Sequence, residues 1–311
     1  TEFRVVDIDG DNLNDLILSA PWFDYSGRSE SGAVYVIKNS LFSGLGGTGN
    51  NIDLSTSANY SVRYVGGAGY YLGHVNVNVA DINNDSLPEL ILGAPMAASN
   101  TGYLYLIENS LINSHAGTGN TVDLLTSSNF TTRFDGVASD VLGNGNIAVG
   151  DVNNDTLTDI LIGASGNGNG KLYILLNSLI NTFFSGTGNL VNIATSSNFN
   201  WRIDGQTSPA TFPTFVSLNG DYNGDGKTDI IFSAVSSGFN SLAYSGSVYV
   251  VYNPIIDSST GNTLNLTLGT GYAMRYDGTS NFEGLGYSGV GLIDYDDDGR
   301  RDVVVSTYLA D

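Results

Sequence analysis

The chain has 311 residues, no cysteine and 40 glycines, and its 31 acidic against 11 basic side chains give a formal charge of −20 at pH 7. That balance excludes nucleic acid and anionic membrane surfaces as partners, and the missing thiols exclude a disulfide scaffold and a thiolate metal site. Abundant Val, Ile, Leu and Tyr beside Gly, Asn, Ser and Thr describe a β-rich protein with many turns rather than a disordered chain, and no run is long enough to span a bilayer as a helix.

Taken in chain order, the elements repeat. A nine-residue acidic segment stands at 7–15 (DIDGDNLND), 81–89 (DINNDSLPE), 151–159 (DVNNDTLTD), 221–229 (DYNGDGKTD) and 294–302 (DYDDDGRRD), the first residues being 74, 70, 70 and 73 positions apart. Before the second copy, Val75, Val77 and Val79 alternate with Asn76 and Asn78, the period of a half-buried strand. After each copy comes a short apolar run (16–18, 90–92, 160–162, 230–232, 303–305), predicted as a fully buried strand. A third strand is expected at 33–37, 103–107, 171–175 and 247–251, followed by a polar stretch in which GTGN recurs from Gly47, Gly117 and Gly186. A fourth strand then ends at Arg63, Arg133, Arg202 and Arg275, each followed by an apolar or aromatic residue and, two places later still, by Gly.

Four strands per unit of roughly 72 residues predict an all-β propeller, with blades that bury one another's faces. The units run over about 1–68, 69–138, 139–206 and 207–282, and a remnant at 283–311 holds the first two strands of a fifth blade. With no leader and Thr1 in place of Met, we expect a processed or excised piece of a larger propeller, or a second chain over its open edge.

Every acidic segment carries oxygen-bearing side chains at places 1, 3, 5 and 9, and these places hold seventeen of the 31 acidic residues. A compact loop of that spacing points several hard oxygens at one centre, which is what Ca²⁺ requires. Five such ions would halve the formal charge to −10, and without them each loop repels itself, so folding is expected to depend on calcium. An EF-hand is ruled out because place 12 is Leu18, Leu92, Ile162, Phe232 or Val305 and not Glu. A catalytic pair would be unique, whereas these carboxylates recur in every unit; the chain is expected not to be an enzyme. His74, where the strand before a loop begins, is read as structural and His115 as a solvated residue of a polar loop; the four repeated arginines are read as structural because they recur, and the strand tyrosines as core or blade-face packing.

The flanks of the loops resemble the FG-GAP repeats of integrin α-subunit propellers. The Gly-Ala-Pro half stands at 19–21 (SAP), 93–95 (GAP), 163–165 (GAS) and 233–235 (SAV), decaying to STY at 306–308, and the leading half at 71–73 (YLG), 141–143 (VLG) and 284–286 (GLG). The leading half is absent before the first loop, and Phe212-Pro213 stands in its region before the fourth. The resemblance implies side-chain ligands at places 1, 3, 5 and 9 and a backbone carbonyl at place 7. The implied sets are Asp7, Asp9, Asp11, Leu13 and Asp15; Asp81, Asn83, Asp85, Leu87 and Glu89; Asp151, Asn153, Asp155, Leu157 and Asp159. The last two are Asp221, Asn223, Asp225, Lys227 and Asp229, and Asp294, Asp296, Asp298, Arg300 and Asp302. Loops one and five, with four carboxylates at those places, are expected to bind most tightly. Glu89, with its extra methylene, is expected to make site two the weakest.

The function expected from this is an extracellular or cell-surface recognition module for a protein or glycan, stabilised by up to five structural Ca²⁺. The alternative is a structural subunit of a surface layer, sheath or filament joined through blade edges. Residues that break the repeat, 22–25 and 207–215, are the expected ligand contacts, and Asn59 and Asn129 are candidate glycan acceptors among five Asn-x-Ser/Thr sequons.

Overall fold

A computed structural model describes residues 2–46, 48–74, 77–166, 169–206, 212–218, 220–239, 241–253, 260–269, 271–297 and 301–308. Val75, Asn76, Gly47, Asp298, Arg300 and residues 207–211, all named above, lie outside them.

In the first sheet β1 (Phe3–Val6), β2 (Asp15–Ala20), β3 (Ala33–Ile37) and β4 (Val62–Val65) pair antiparallel in chain order. The second sheet repeats this with β5 (Val77–Ala80), β6 (Glu89–Ala94) and β7 (Tyr103–Ile107); then β8 (Asn120–Asp123) leaves it and β9 (Thr132–Asp135) returns to pair with β7. The third contains β10 (Leu142–Gly150), β11 (Asp159–Ala164) and β12 (Lys171–Leu175), with β13 (Asn189–Asn192) departing before β14 (Trp201–Asp204). The fourth has β15 (Val216–Ser217), β16 (Ile230–Ala234) and β17 (Ser247–Val251), then β18 (Asn262–Asn265) and β19 (Met274–Asp277). A hairpin of β20 (Val290–Ile293) and β21 (Asp302–Val305) begins a fifth. The third strands fall where the sequence places them, and the architecture is that of all-β propeller blades.

Four strands per sheet is an undercount for three sheets. The polar stretch after each third strand is not merely a loop. In units two, three and four it supplies β8, β13 and β18, which add in parallel to the outer strands β4, β9 and β14 of the preceding sheet. The order in the first sheet is therefore β1-β2-β3-β4-β8, and the second and third follow suit. These additions cover the outer edges of β4, β9 and β14 and make β8, β13 and β18 the outermost strands of their sheets, while among the described residues β19 receives no such addition.

The second strands of the inner sheets are covered on both faces because those sheets lie between neighbours: all of β6 and all of β11 are buried, whereas β2 of the first sheet alternates buried with half-buried residues. The cores accordingly lie between sheets: Ile17, Val34 and Tyr64 of the first pack against Leu90, Leu92 and Ile107 of the second, and Phe134 of the second packs with Ile160, Ile162 and Leu175 of the third. The leading Leu-Gly step fastens the blades at one end. Leu72 forms a parallel bridge to Gly32 of the preceding sheet, and Leu285 one to Gly246. At the matching contact in the second sheet, Gly102 has φ +79° and a Cβ there would lie 2.2 Å from the Leu142 amide nitrogen, so no other residue fits. The first strands stand next to one another around the axis, joined by Arg4 Nη2 donating to Asn78 Oδ1 (3.0 Å) and Asn78 Nδ2 donating to the Ile147 carbonyl (2.6 Å).

The repeated arginines are structural, as expected. Arg133 and Arg202 each grip the aspartate two residues on with two hydrogen bonds, at 2.5 and 2.9 Å and at 2.6 and 2.8 Å. Arg63 faces Val65 instead and lies over the rings of Phe23 (4.9 Å) and Tyr60 (5.3 Å) while donating to Thr121 Oγ1. The paired tyrosines Tyr105, Tyr173 and Tyr249 are buried core.

Candidate metal centres

Each acidic segment is the loop joining the first to the second strand of a sheet, so the loops sit at one end of every blade. Two backbone reversals curl each loop around a centre. Places 4 and 6 are left-handed in the first four copies: Gly10 and Asn12, Asn84 and Ser86, Asn154 and Thr156, Gly224 and Gly226. Gly and Asn take that conformation at little cost, but Thr156 at φ 72° is strained.

The curl aims loop N–H groups at the place-1 carboxylate. Asp7 accepts from the amides of Gly10 (2.7 Å), Asp11 (3.1 Å) and Asn12 (2.7 Å). Asp81 and Asp151 accept from places 5 and 6, and Asp221 from places 4, 5 and 6. The place-5 carboxylate accepts from the amide of place 7, as Asp11 does from Leu13 at 2.8 Å and Asp225 from Lys227 at 3.0 Å. Among the described residues no hydrogen bond outside strand pairing ends on the carbonyls of Leu13, Leu87, Leu157 or Lys227.

The place-9 residues Asp15, Glu89, Asp159 and Asp229 are buried at the root of the loop. One oxygen takes the amide of place 2: Asp15 from Ile8 (2.9 Å), Glu89 from Ile82 (2.9 Å), Asp159 from Val152 (2.8 Å) and Asp229 from Tyr222 (2.8 Å). The other takes the amide of an asparagine just past the third strand: Asn39 (2.7 Å), Asn109 (3.5 Å), Asn177 (2.8 Å) and Asn253 (3.0 Å). Glu89 stays buried and meets both amides, but its contact to Asn109 is the longest of the four. The added methylene loosens the fit without turning the carboxylate away.

Burial, with the neighbouring carboxylates adding to it, pushes Glu89 and Asp159 up to about 7 and raises Asp15 and Asp229, against the pull of the amides they accept. At Asp7 burial works the same way, but the amides of Asn12, Gly10, Asp11 and Asp9 win and hold it below the usual carboxylate range. Like charges are crowded here with little to offset them. Carboxylate oxygens of Asp7, Asp9 and Asp15 lie within 4.8 Å of one another, and those of Asp294, Asp296 and Asp302 do the same. Lys38 stands 3.1 Å from Asp9 and is a partial counter-ion in the first loop. In loops two to four the amide of Asn83, Asn153 or Asn223 turns its nitrogen to the place-5 carboxylate and its oxygen to the place-5 amide. A donor set of convergent hard oxygens with excess negative charge fits Ca²⁺. In the fifth loop Asp302 repeats the place-2 bond, to Tyr295 at 2.9 Å, while Asp298 and Arg300 lie outside the described residues.

The sequence reading missed the four asparagines. Their signal is an Asn two positions past each third strand, at 39, 109, 177 and 253. The buried Asn109 side chain also donates to the carbonyls of Ile8, in the preceding loop, and Pro88 (3.2 Å). Asn177 donates likewise to Ile82 (2.7 Å) and Thr158 (3.2 Å). One residue thus ties its own metal loop to the loop of the blade before. The sequons at Asn59 and Asn129 have their amide nitrogens on the carbonyls of Asp53 (2.8 Å) and Asp123 (2.9 Å). His74 packs edge-on against Trp22 and Tyr71, and His115 lies against Tyr64, with burial lowering the pKa of both.

The FG-GAP repeat family model matches residues 1–37, 75–107, 144–175 and 216–251, each match holding one acidic loop and the strands around it. Human integrin alpha-11 is 29% identical over 175 residues, 54% of this chain and 12% of that protein. Phosphatidylinositol-glycan-specific phospholipase D of Dictyostelium discoideum is 31% identical over 107 residues, 34% of this chain and 11% of that protein. The chain therefore spans about a tenth of the length of these relatives. Among solved structures, the Dos1 propeller covers 89% of this chain and 48% of that one, with 12% identity and a TM-score of 0.38. By its repeats, its loops and its sheets, the chain is a propeller built of FG-GAP repeats and is similar to integrin alpha-11 over the matched residues.

Proposed function

We propose that this chain is a calcium-stabilised recognition propeller that works outside the cell or at its surface and binds a protein or glycan ligand. The observation that carries the reading is the shared geometry of the acidic loops. The same amide-to-carboxylate bonds, the same left-handed places and the same buried root recur in four copies, which makes them architecture and not a reaction centre. The ligands of each ion are those set out above, with the carbonyl of place 7. Loops one and five are the tightest sites, and loop two, with Glu89, the weakest. Bound calcium would supply charge neutralisation and rigidity; no chemistry is assigned to it, and the chain is read as non-catalytic. Blade limits are proposed near residues 68, 138, 206 and 282.

The likeness to integrin alpha-11 supports adhesion and an outside location. The end opposite the loops offers a contact surface: a cleft of about 470 Å³ lined by Gly69, Tyr71, His74, Met96 and Asn100, beside the exposed Trp22. Aromatic rings at an open rim suit a protein side chain or a sugar face. Glycan attachment is proposed at Asn59 and Asn129, both half-buried. The alternative of a self-assembling structural subunit rests on one feature, the uncovered edge of β19.

Thermal melting with a calcium titration, with magnesium as control and a chelator as reference, tests the reading. Each site filled at a hundred times its Kd adds about 2.7 kcal/mol, so the midpoint must rise steeply and selectively with calcium. A melt indifferent to calcium and chelator would sink the proposal. Polymerisation on purification in calcium would favour the structural subunit.

A further inference from the structure

We propose that Lys38 is a tethered counter-cation of loop one, which calcium must displace from Asp9 in order to bind there. Lys38 thereby sets the calcium level at which loop one fills, apart from the ligands of the loop itself. The inference rests on the calcium reading above and adds a residue outside the nine-residue segment to it.

One place in each blade overhangs the acidic loop. It lies between the third strand and the asparagine whose amide meets the place-9 carboxylate, and it holds Lys38, Glu108, Leu176 and Tyr252. Its backbone is fixed alike in three blades. The amide of Lys38 donates to Ser61 Oγ (3.1 Å), that of Glu108 to Thr131 Oγ1 (2.9 Å) and that of Leu176 to Asn200 Oδ1 (2.8 Å). From this anchor Lys38 reaches place 3 of loop one, its ammonium nitrogen 3.1 Å from Asp9 Oδ2. Glu108 reaches place 3 of loop two, where its carboxylate meets the Asn83 side chain.

Place 3 is also where loop one departs from the next three. Asn83, Asn153 and Asn223 stand there in loops two to four, each turning its own amide nitrogen to the place-5 carboxylate. Asp9 has no nitrogen to offer, and Lys38 brings a positive group from outside the loop. With that pair formed, loop one carries the net charge of loop three, whose ligand places hold Asp151, Asp155 and Asp159. The other Asp9 oxygen, Oδ1, accepts from the Asp11 amide at 3.2 Å, and Lys38 holds the one that remains. The fourth carboxylate of loop one is thus open to a cation only once Lys38 lets go. The two side chains are 20% and 16% exposed, so water screens little of the repulsion between an ammonium and a divalent ion sharing Asp9. Lys38 has a second seat: it also donates to Asn113 Oδ1 of the second blade at 3.2 Å, an acceptor that stays in reach when Asp9 turns to a metal. Exchange need not strand a bare ammonium.

Hydrogen exchange of the 311-residue chain across a calcium titration tests this, because peptides over 7–15 and 221–229 report loops one and four separately. Lys38→Met removes the ammonium and keeps an apolar stem. It should lower the calcium midpoint of loop one about ten-fold and leave that of loop four in place. Lys38→Arg keeps the charge and should hold the loop-one midpoint close to that of the unaltered chain. An unchanged loop-one midpoint in Lys38→Met, a shift shared equally by loop four, or an arginine variant that behaves like the methionine one would overturn the proposal. Protection indifferent to calcium at both loops would overturn the calcium reading itself, and the proposal with it.

Discussion

Alanine at the four equivalent asparagines should give unequal losses, because the same residue does different work in different blades. Asn177 is 1% exposed, and its amide nitrogen donates to Ile82 at 2.7 Å and to Thr158 at 3.2 Å, while its oxygen accepts from Asn181 at 2.8 Å. Asn177→Ala removes these bonds and leaves the buried Ile82 carbonyl without a donor. At about 1 kcal/mol for each of the bonds with Thr158 and Asn181 and about 1–3 kcal/mol for the orphaned Ile82 carbonyl, the cost is roughly 3–5 kcal/mol. Asn109→Ala should match it, since Asn109 makes the same contacts to Ile8, Pro88 and Asn113. Among the described residues the Asn39 side chain donates to the Asn14 carbonyl, at 3.4 Å on the surface, so its loss should cost about 0.5 kcal/mol. Asn253 is as buried as Asn177, but its amide nitrogen has no partner among the described residues, and Asn253→Ala should be near neutral. Urea unfolding followed by tyrosine fluorescence and circular dichroism, in saturating calcium, reads the series. Equal losses at all four positions would refute the idea that the side chain acts as a bolt between loops. They would leave only the shared amide-to-carboxylate bond, which alanine preserves.

Three further outcomes follow from the same geometry. Thr156→Gly relieves a left-handed threonine and should stabilise the chain by about 1 kcal/mol, measured as a shift of the urea midpoint; a loss of stability would mean that the hydroxyl or the methyl is needed. Gly102→Ala sets a Cβ 2.2 Å from the Leu142 amide at φ +79°, and should cost more than about 3 kcal/mol or abolish folding. In chelator, Glu89 and Asp159 bind protons more tightly folded, near 7, than unfolded. The folded state therefore holds the extra protons between about pH 4 and 7, and stability falls as pH rises through that window, by on the order of 3 kcal/mol per group. With calcium the trend should reverse, because the ion takes the ionised form; melting temperatures that rise with pH in chelator would contradict the burial argument.

The loops and the main strands were legible because both obey rules local in sequence. Places 1, 3, 5 and 9 are visible in any one copy, and β3, β7, β12 and β17 are apolar runs, the last two after an initial Lys171 and Ser247. The parallel additions β8, β13 and β18 were not legible for a physical reason. Each pairs with a strand of the preceding blade, 57 to 61 residues away, and each is largely polar and only partly buried, as in NTVD. No period of two or of 3.6 marks four residues with at most one buried side chain. The Leu-Gly step was visible as a motif but not as a fastener, since its partner is Gly102 or Gly246 of another sheet.

These two contacts between neighbours change what the acidic loops mean. The place-9 carboxylate fixes the amide of an asparagine, and in blades two and three that asparagine's side chain fixes the loop before it. The loops therefore stand in series, each root braced by the next blade. A cation that orders one loop orders the carbonyl its neighbour uses, and a loop left empty loosens both. In a repeat array, where stability is a sum of unit and interface terms, such a chain of braces places calcium in the interface term as well as the unit term. Removing the carboxylate of a single root, Asp159→Asn for example, should then lower hydrogen-exchange protection in β6 of the preceding sheet as well as in β11. Protection lost from β11 alone would show that each loop stabilises only its own blade.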